Sequence, residues 1–311
     1  MPPRLSLYLQ NFGQTGVDIE RLARLAANAD AAGVSRVVVS DHVVFGNALD
    51  AYADPKLGGI EGGRQPTGPD GWWLEPLAVL TFIAARTERI RLGTSILLAA
   101  LRRPAVLAKQ LSTIDVISNG RLDVGVGVGW QREEYTACDL DFDRRGAHLD
   151  ETLRVLTSLW SGSMDWTGPF AGSSTEVQQH PRPRQVAASG TPRVPLWIAG
   201  TSRARTVERV VRFGHGWIPW GPDIADPTAG IARLIEALTE AGRDPNELCV
   251  ETRVGAPGLR NGQPDWDVFR REAERLHAAG VTDLRLDFID VESSDHEREL
   301  LERAVTEVAT L

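Results

Sequence analysis

The chain has 311 residues, 42% hydrophobic and 24% charged, ample for a large buried core. A formal net charge of -8, with no basic cluster among aromatics, argues against a nucleic-acid surface. No apolar run approaches the roughly 18 residues that span a bilayer, and Cys138 and Cys249 stand far apart outside any CxxC pattern. The opening residues show no signal-peptide core, so a reducing cytoplasm is expected.

Leu5 to Leu9 reads as a first strand, and Asp18 as the cap of a helix reaching Ala32 and stopped by Gly33. The valine run Arg36 to Ser40 predicts a buried parallel strand ending in Asp41-His42. Residues 46–73 form a long Gly-, Pro- and Asp-rich excursion closed by Trp72-Trp73, and Glu75 to Thr87 is predicted helical. Residues 89–130 form a strand–helix–strand unit. Arg91 to Ser95 is the first strand. Pro104 opens the helix, with Leu107, Leu111, Ile114 and Ile117 on one face. Asn119-Gly120 ends the helix, and Arg121 to Val126 is the second strand, running into Gly127-Val128-Gly129-Trp130. Such a short connection makes the strands parallel.

A second excursion, from Trp130 to about Arg193, is predicted to hold one helix, Ala147 to Trp160, with Leu149, Leu153, Leu156 and Trp160 on one side. Further strands follow at Val194–Ala199, Gly216–Trp220, Leu248–Val254 and Asp283–Phe288. The matching helices run from Gly200-Thr201-Ser202 to Phe213, over Thr228–Ala241 and Trp266–Ala279, and to the last residue. Eight strands, each followed by a helix, predict a (β/α)8 TIM barrel with insertions after strands 2 and 4, one domain over residues 1–311. An open doubly wound sheet needs a glycine fingerprint after the first strand, and Gln10-Asn11-Phe12-Gly13 is not one.

In such a barrel the chemistry sits at the carboxyl ends of the strands. That rule gathers Asp41, His42, Thr94, Ser95, Gly127, Gly129, Trp130, Gly200, Thr201, Ser202 and Trp220 around one mouth. His42 there can give or take a proton near neutral pH, or merely end its strand. Asp41 can orient His42, accept from a cofactor, or cap the next turn. Thr94-Ser95-Ile96 reads as a bulge supporting a ligand ring or as a plain strand-to-loop turn. The glycines 125, 127 and 129 are spaced GxGxG, not GxGxxG, and clear side chains from the mouth or allow close packing. Gly200-Thr201-Ser202 suits a phosphate at a helix start, or a simple N-cap.

The only lysines are Lys56, in a loop, and Lys109, in a helix, so a strand-end Schiff base is excluded. The six histidines form no HxH or HExxH pattern, and no metal site is expected. What remains is an organic cofactor with a flat ring and a phosphate.

Several segments together resemble the bacterial luciferase-like family of flavin- and deazaflavin-dependent oxidoreductases. They are VVVSDHVVF at 37–45, TERIRLGTSILLAALRRPAVLAKQLSTIDVISNGRLDVGVGVGW at 87–130, RRGAHLDETLRVLTSLW at 144–160, and PLWIAGTS with its helix through GHGWIPWG. The insertion after Asp41-His42, ending in WWLEPL, is similar to the branch that uses coenzyme F420. The resemblance implies a homodimer with F420 across the strand ends. Thr94, Ser95 and Ile96 would lie behind the ring, with a cis peptide at Ser95-Ile96. Gly127, Gly129 and Trp130 would sit at the ring edge, and Gly200, Thr201 and Ser202 at the phosphate. Asp41 would contact the cofactor, and His42 would be the catalytic residue. Where sugar-phosphate dehydrogenases of the family carry a catalytic glutamate, this chain has Trp130, with Glu133 and Glu134 displaced by a helical turn. Trp130, Trp72, Trp73 and Trp220 point instead to a flat or apolar small-molecule substrate. The implied activity is hydride transfer between F420 and that substrate. An FMN-dependent luciferase-like monooxygenase and a non-catalytic flavin- or deazaflavin-binding protein are the alternatives.

Overall fold

The computed structural model describes residues 1–162, 177–257, 259–260, 263–287 and 294–311. Eight parallel strands close into a barrel: β1 Arg4–Tyr8, β2 Arg36–Val39, β3 Arg91–Leu97, β4 Leu122–Val126, β5 Leu196–Gly200, β6 Gly216–Pro219, β7 Cys249–Val254 and β8 Asp283–Leu286. Each strand pairs with its sequence neighbours, and β8 closes on β1 through Arg4 opposite Asp283 and Leu7 opposite Leu286. The (β/α)8 expectation holds. Helices cover the outer face and the barrel interior fills the inner one, which is why all four residues of β2 are buried. Phe288, the last residue expected in β8, lies outside the described residues.

The helices are α1 Ile19–Ala32, α2 Pro76–Ala84, α3 Pro104–Ile117, α4 Arg132–Ala137, α5 Arg145–Ser161, α6 Ala204–Phe213, α7 Thr228–Glu240, α8 Trp266–Ala278 and α9 Ser294–Ala309. Asp18 caps α1 by accepting the Arg21 amide at 2.9 Å, and Gly33 ends it in the left-handed conformation. Two expectations need correction. Ile117 is 52% exposed, unlike buried Leu107, Leu111 and Ile114, because 3.6 residues per turn carry it about 80° from Leu107. The second excursion holds α4 as well as α5; six residues are too few to show a periodic stripe. Among the described residues no helix is long and apolar enough to cross a membrane, and no acidic, histidine or cysteine group could hold a metal ion.

Charge fills the lower barrel. Arg36 of β2 reaches Glu251 of β7 at 2.6 Å, Asp283 of β8 at 3.3 Å and Asp123 of β4 at 3.5 Å. Contacts between non-adjacent strands place these side chains in the interior. Arg91 grips Asp123 at 2.7 and 2.8 Å, and Arg4 meets Asp283 at 2.8 Å. Burial alone would lower the Arg36 pKa, but Glu251, Asp283 and Asp123 outweigh it and raise it.

One glycine in the barrel wall is fixed by backbone. A Cβ on Gly125 would stand 2.2 Å from the Thr94 carbonyl oxygen on β3, which no side-chain motion relieves. Gly125→Ala is therefore expected to cost about 1–3 kcal/mol or more in a denaturant titration. Gly93→Ala should cost less, since its Cβ would meet Arg36, Val38 and the Asp123 carbonyl oxygen no closer than 3.2 Å.

Candidate active site

The carboxyl ends of β2, β3, β4 and β5 bring Asp41, Ser95, Gly127 and Thr201 to one rim of the barrel. Between Thr94 and Leu97 the register of β3 against β4 shifts, and the Ser95-Ile96 peptide is cis. Thr94 ties the strand down by donating to the Gly125 carbonyl at 2.7 Å. Ile96 lies over Gly127, whose Cβ would meet Ile96 Cδ1 at 2.7 Å. Gly129 has φ +70°, and its Cβ would meet Leu98 Cδ2 at 2.8 Å. The rim is thus shaped by missing side chains.

Asp41 is buried behind this bulge. Its carboxylate accepts from the Leu98 amide at 2.9 Å and from both Arg102 nitrogens at 2.6 and 3.1 Å. Arg102 also donates to Glu75, the cap of α2, at 3.0 Å. Burial opposes the Arg102 charge, but Asp41 and Glu75 raise its pKa. Both Asp41 oxygens are therefore engaged in holding the segment after β3, not His42.

Glu134 of α4 holds His42 instead. Its buried Oε1 accepts from the Val43 amide at 2.8 Å and lies 3.1 Å from His42 Nδ1, while Oε2 has no partner. With the carboxylate ionised, Nδ1 carries the proton and donates, leaving Nε2 for a ligand. The helical turn that separates Glu134 from Trp130 in sequence is what delivers it to His42.

Rings wall the space around that imidazole. His42 lies 4.4 Å from Phe45, 4.7 Å from Trp73 and 5.9 Å from Trp130 between centroids. Tyr52, from the first insertion, meets Trp130 edge-on at 5.3 Å and Trp220 at 6.5 Å. Trp220 donates to the Gly58 and Gly59 carbonyls at 3.0 and 3.2 Å, which straps the insertion over the rim. Trp72 points outward and is 57% exposed, so it is not part of this wall. Trp130 is buried with an unpartnered indole N–H.

At β5, Gly200 takes φ +147°, and its Cβ would meet Thr206 Oγ1 at 2.9 Å. Ser202 is already engaged: its amide donates to Asp223 at 2.6 Å, and Arg233 donates to its hydroxyl at 2.6 Å and its carbonyl at 2.9 Å. Of the three residues expected at a phosphate, the Ser202 amide thus already faces a carboxylate.

The far side of the mouth comes from β1, β7 and β8. Ser95 donates to Glu251 at 3.0 Å and accepts from Arg285 at 2.6 Å. Tyr8 shares a 2.5 Å hydrogen bond with Ser40, and burial pushes its phenol up to about 12. The sequence alone gave no role to Glu134, named only as displaced from Trp130, and did not point to Arg102, Glu251 or Arg285. Asp283-Leu284-Arg285-Leu286 alternates charge and leucine with period two, a legible sign of charged side chains facing the barrel interior.

The sequence profile described as luciferase-like monooxygenase matches residues 5–259. The chain belongs to this family. An uncharacterized protein of Mycobacterium tuberculosis is 31% identical over 214 residues, covering 62% of this chain and 70% of that one. The pyrimidine monooxygenase RutA of Methylorubrum populi is 30% identical over 211 residues, covering 65% of this chain and 54% of that one. Among solved structures, the monooxygenase RslO1 of Streptomyces bottropensis superimposes with a TM-score of 0.76 at 20% identity. An F420-dependent secondary alcohol dehydrogenase, bound to an F420-acetone adduct, gives 0.71 at 16%, and each pair covers 99% of both chains. At those identities the likeness speaks for the fold. The chain is a luciferase-like oxidoreductase, in a family whose structural neighbours include F420- and flavin-dependent enzymes.

Proposed function

We propose that this chain transfers a hydride between coenzyme F420 and a small organic substrate, with His42 handling the accompanying proton. The observation that carries the reading is the His42–Glu134 pair: one imidazole in an aromatic-walled mouth, its Nδ1 committed to a buried carboxylate. Reduction of a carbonyl needs one proton for each hydride, and a histidine positioned in the mouth can supply it.

The residues present fit a planar ring and an anionic tail. Ile96 and Leu98 pack against Gly127 and Gly129 to form a close floor, and the Trp130 indole N–H is an unpaired donor. In this reading Thr94, Ser95, Ile96, Gly127, Gly129 and Trp130 face the ring, Gly200, Thr201 and Ser202 meet the tail, and Asp41 acts through Arg102 and Leu98. The bound cofactor supplies the hydride chemistry; the chain binds it, orients it and excludes water.

The second reading, an FMN-dependent monooxygenase, draws support from the pyrimidine monooxygenase relative and the RslO1 structure. Titrating the purified chain with each cofactor, followed by fluorescence, separates the two. F420 is expected to bind and FMN to bind weakly or not at all. Tight FMN binding without F420 binding would reverse the choice.

A further inference from the structure

Among the described residues, this interior charge cluster holds one guanidinium more than it has carboxylates to match. Arg91 pairs with Asp123, Arg4 with Asp283 at 2.8 Å, and Arg36 with Glu251 at 2.6 Å. Arg285 of β8 is left to share Glu251, at 3.3 Å, and to donate to Ser95 Oγ at 2.6 Å. Its Nε–H is buried and has no partner. The neighbouring charges do not complete it, because Arg253 and Asp287 pair with each other. Tyr8 lies beneath, with the guanidinium 5.6 Å from its ring centre. A buried donor without an acceptor is costly, and more so on a charged group, so an acceptor brought by a ligand would be favoured there.

We infer that Arg285 is the binding group for an anionic oxygen on the ligand that fills the mouth. Its side chain is 20% exposed, and it stands beside Ser95, at the bulge that forms the floor. A guanidinium with one arm on Ser95 keeps its Nε edge for a planar oxygen acceptor. Two sources carry that chemistry: a carboxylate or phenolate of the substrate, or an ionised oxygen of the cofactor ring. The inference shares with the proposed function only the premise that the mouth is a ligand site.

Two measurements on the purified chain and on Arg285→Met decide it. The first is calorimetric titration with benzoate, which needs no cofactor. The second is the pH titration of the ring absorbance of bound F420. If the anion is the substrate's, benzoate binds the wild type and binds at least about tenfold more weakly to Arg285→Met, with Arg285→Lys between. If it is the ring's, the ionisation of bound F420 moves at least about one pH unit below its value in free solution, and the shift vanishes in Arg285→Met. Either result supports the inference and names the source. Benzoate affinity and ring ionisation both unchanged in Arg285→Met would overturn it. Should Arg285→Met fail to fold, Arg285→Gln, neutral and polar, replaces it. A wild type that binds benzoate through Arg285 but neither F420 nor FMN would sink the proposed function and leave this inference standing.

Discussion

His42→Ala is expected to lower turnover about 10²–10⁴-fold while leaving cofactor affinity nearly unchanged, the range typical of a lost proton-transfer group. The ring approaches Phe45, Trp73 and Trp130, so the alanine variant also opens space in the wall. Glu134→Gln isolates the chemical contribution, because it keeps the shape at the buried position. A glutamine can still accept from the Val43 amide through its oxygen, but it cannot supply the charge that stabilises an imidazolium. Turnover in Glu134→Gln should fall less than in His42→Ala, and its pH profile should move to lower pH, since the imidazolium loses its counter-charge. Nitrogen NMR of the His42 ring tests the geometry without any substrate: the wild type should carry its proton on Nδ1. A ring protonated on Nε2 at neutral pH, or a Glu134→Gln profile identical to wild type, would defeat the assignment.

The part of this site visible in the sequence is the part built from local signals. Asp41-His42 stands at the end of a valine strand, and the glycines around Gly127 break an apolar run; each can be found by reading a few neighbours. The barrel was legible for the same reason, since caps such as Asp18 and stops such as Gly33 punctuate its units. What connects the units was not legible. Glu134 meets His42 across 92 positions, and Arg285 meets Ser95 across 190. Nothing near Glu134 distinguishes it from Glu133, its half-buried neighbour on α4, until the helix is placed against the second strand's loop. Asp41 shows the converse. Its position was visible, but its partner Arg102 lies beyond the bulge, so its engagement with that arginine was not.

The largest stability effect is expected at Arg36, whose removal takes a buried ion-pair partner from three interior carboxylates. Arg36→Met should destabilise the fold by about 3–5 kcal/mol at pH 7, measured as a shift of the denaturant midpoint, the cost of breaking a buried ion pair from one side. The pH dependence gives a second reading of the cause. Burial pushes the Asp123 carboxyl up, but Arg91 and Arg36 hold it below the ordinary value. A depressed carboxylate stabilises the fold above its unfolded value, about 3.9, and that contribution is lost as pH falls through the folded value. Without Arg36 the folded value of Asp123 rises, so that carboxyl takes up its proton at higher pH and the penalty eases. The gap between variant and wild type should therefore narrow from pH 7 to pH 5. A purely steric loss, such as the guanidinium leaving the face of Trp197 at 4.1 Å, would give a gap that does not change with pH. A constant or widening gap would assign Arg36 to packing. A narrowing one assigns it to the charge balance that leaves Arg285 unmatched at the mouth.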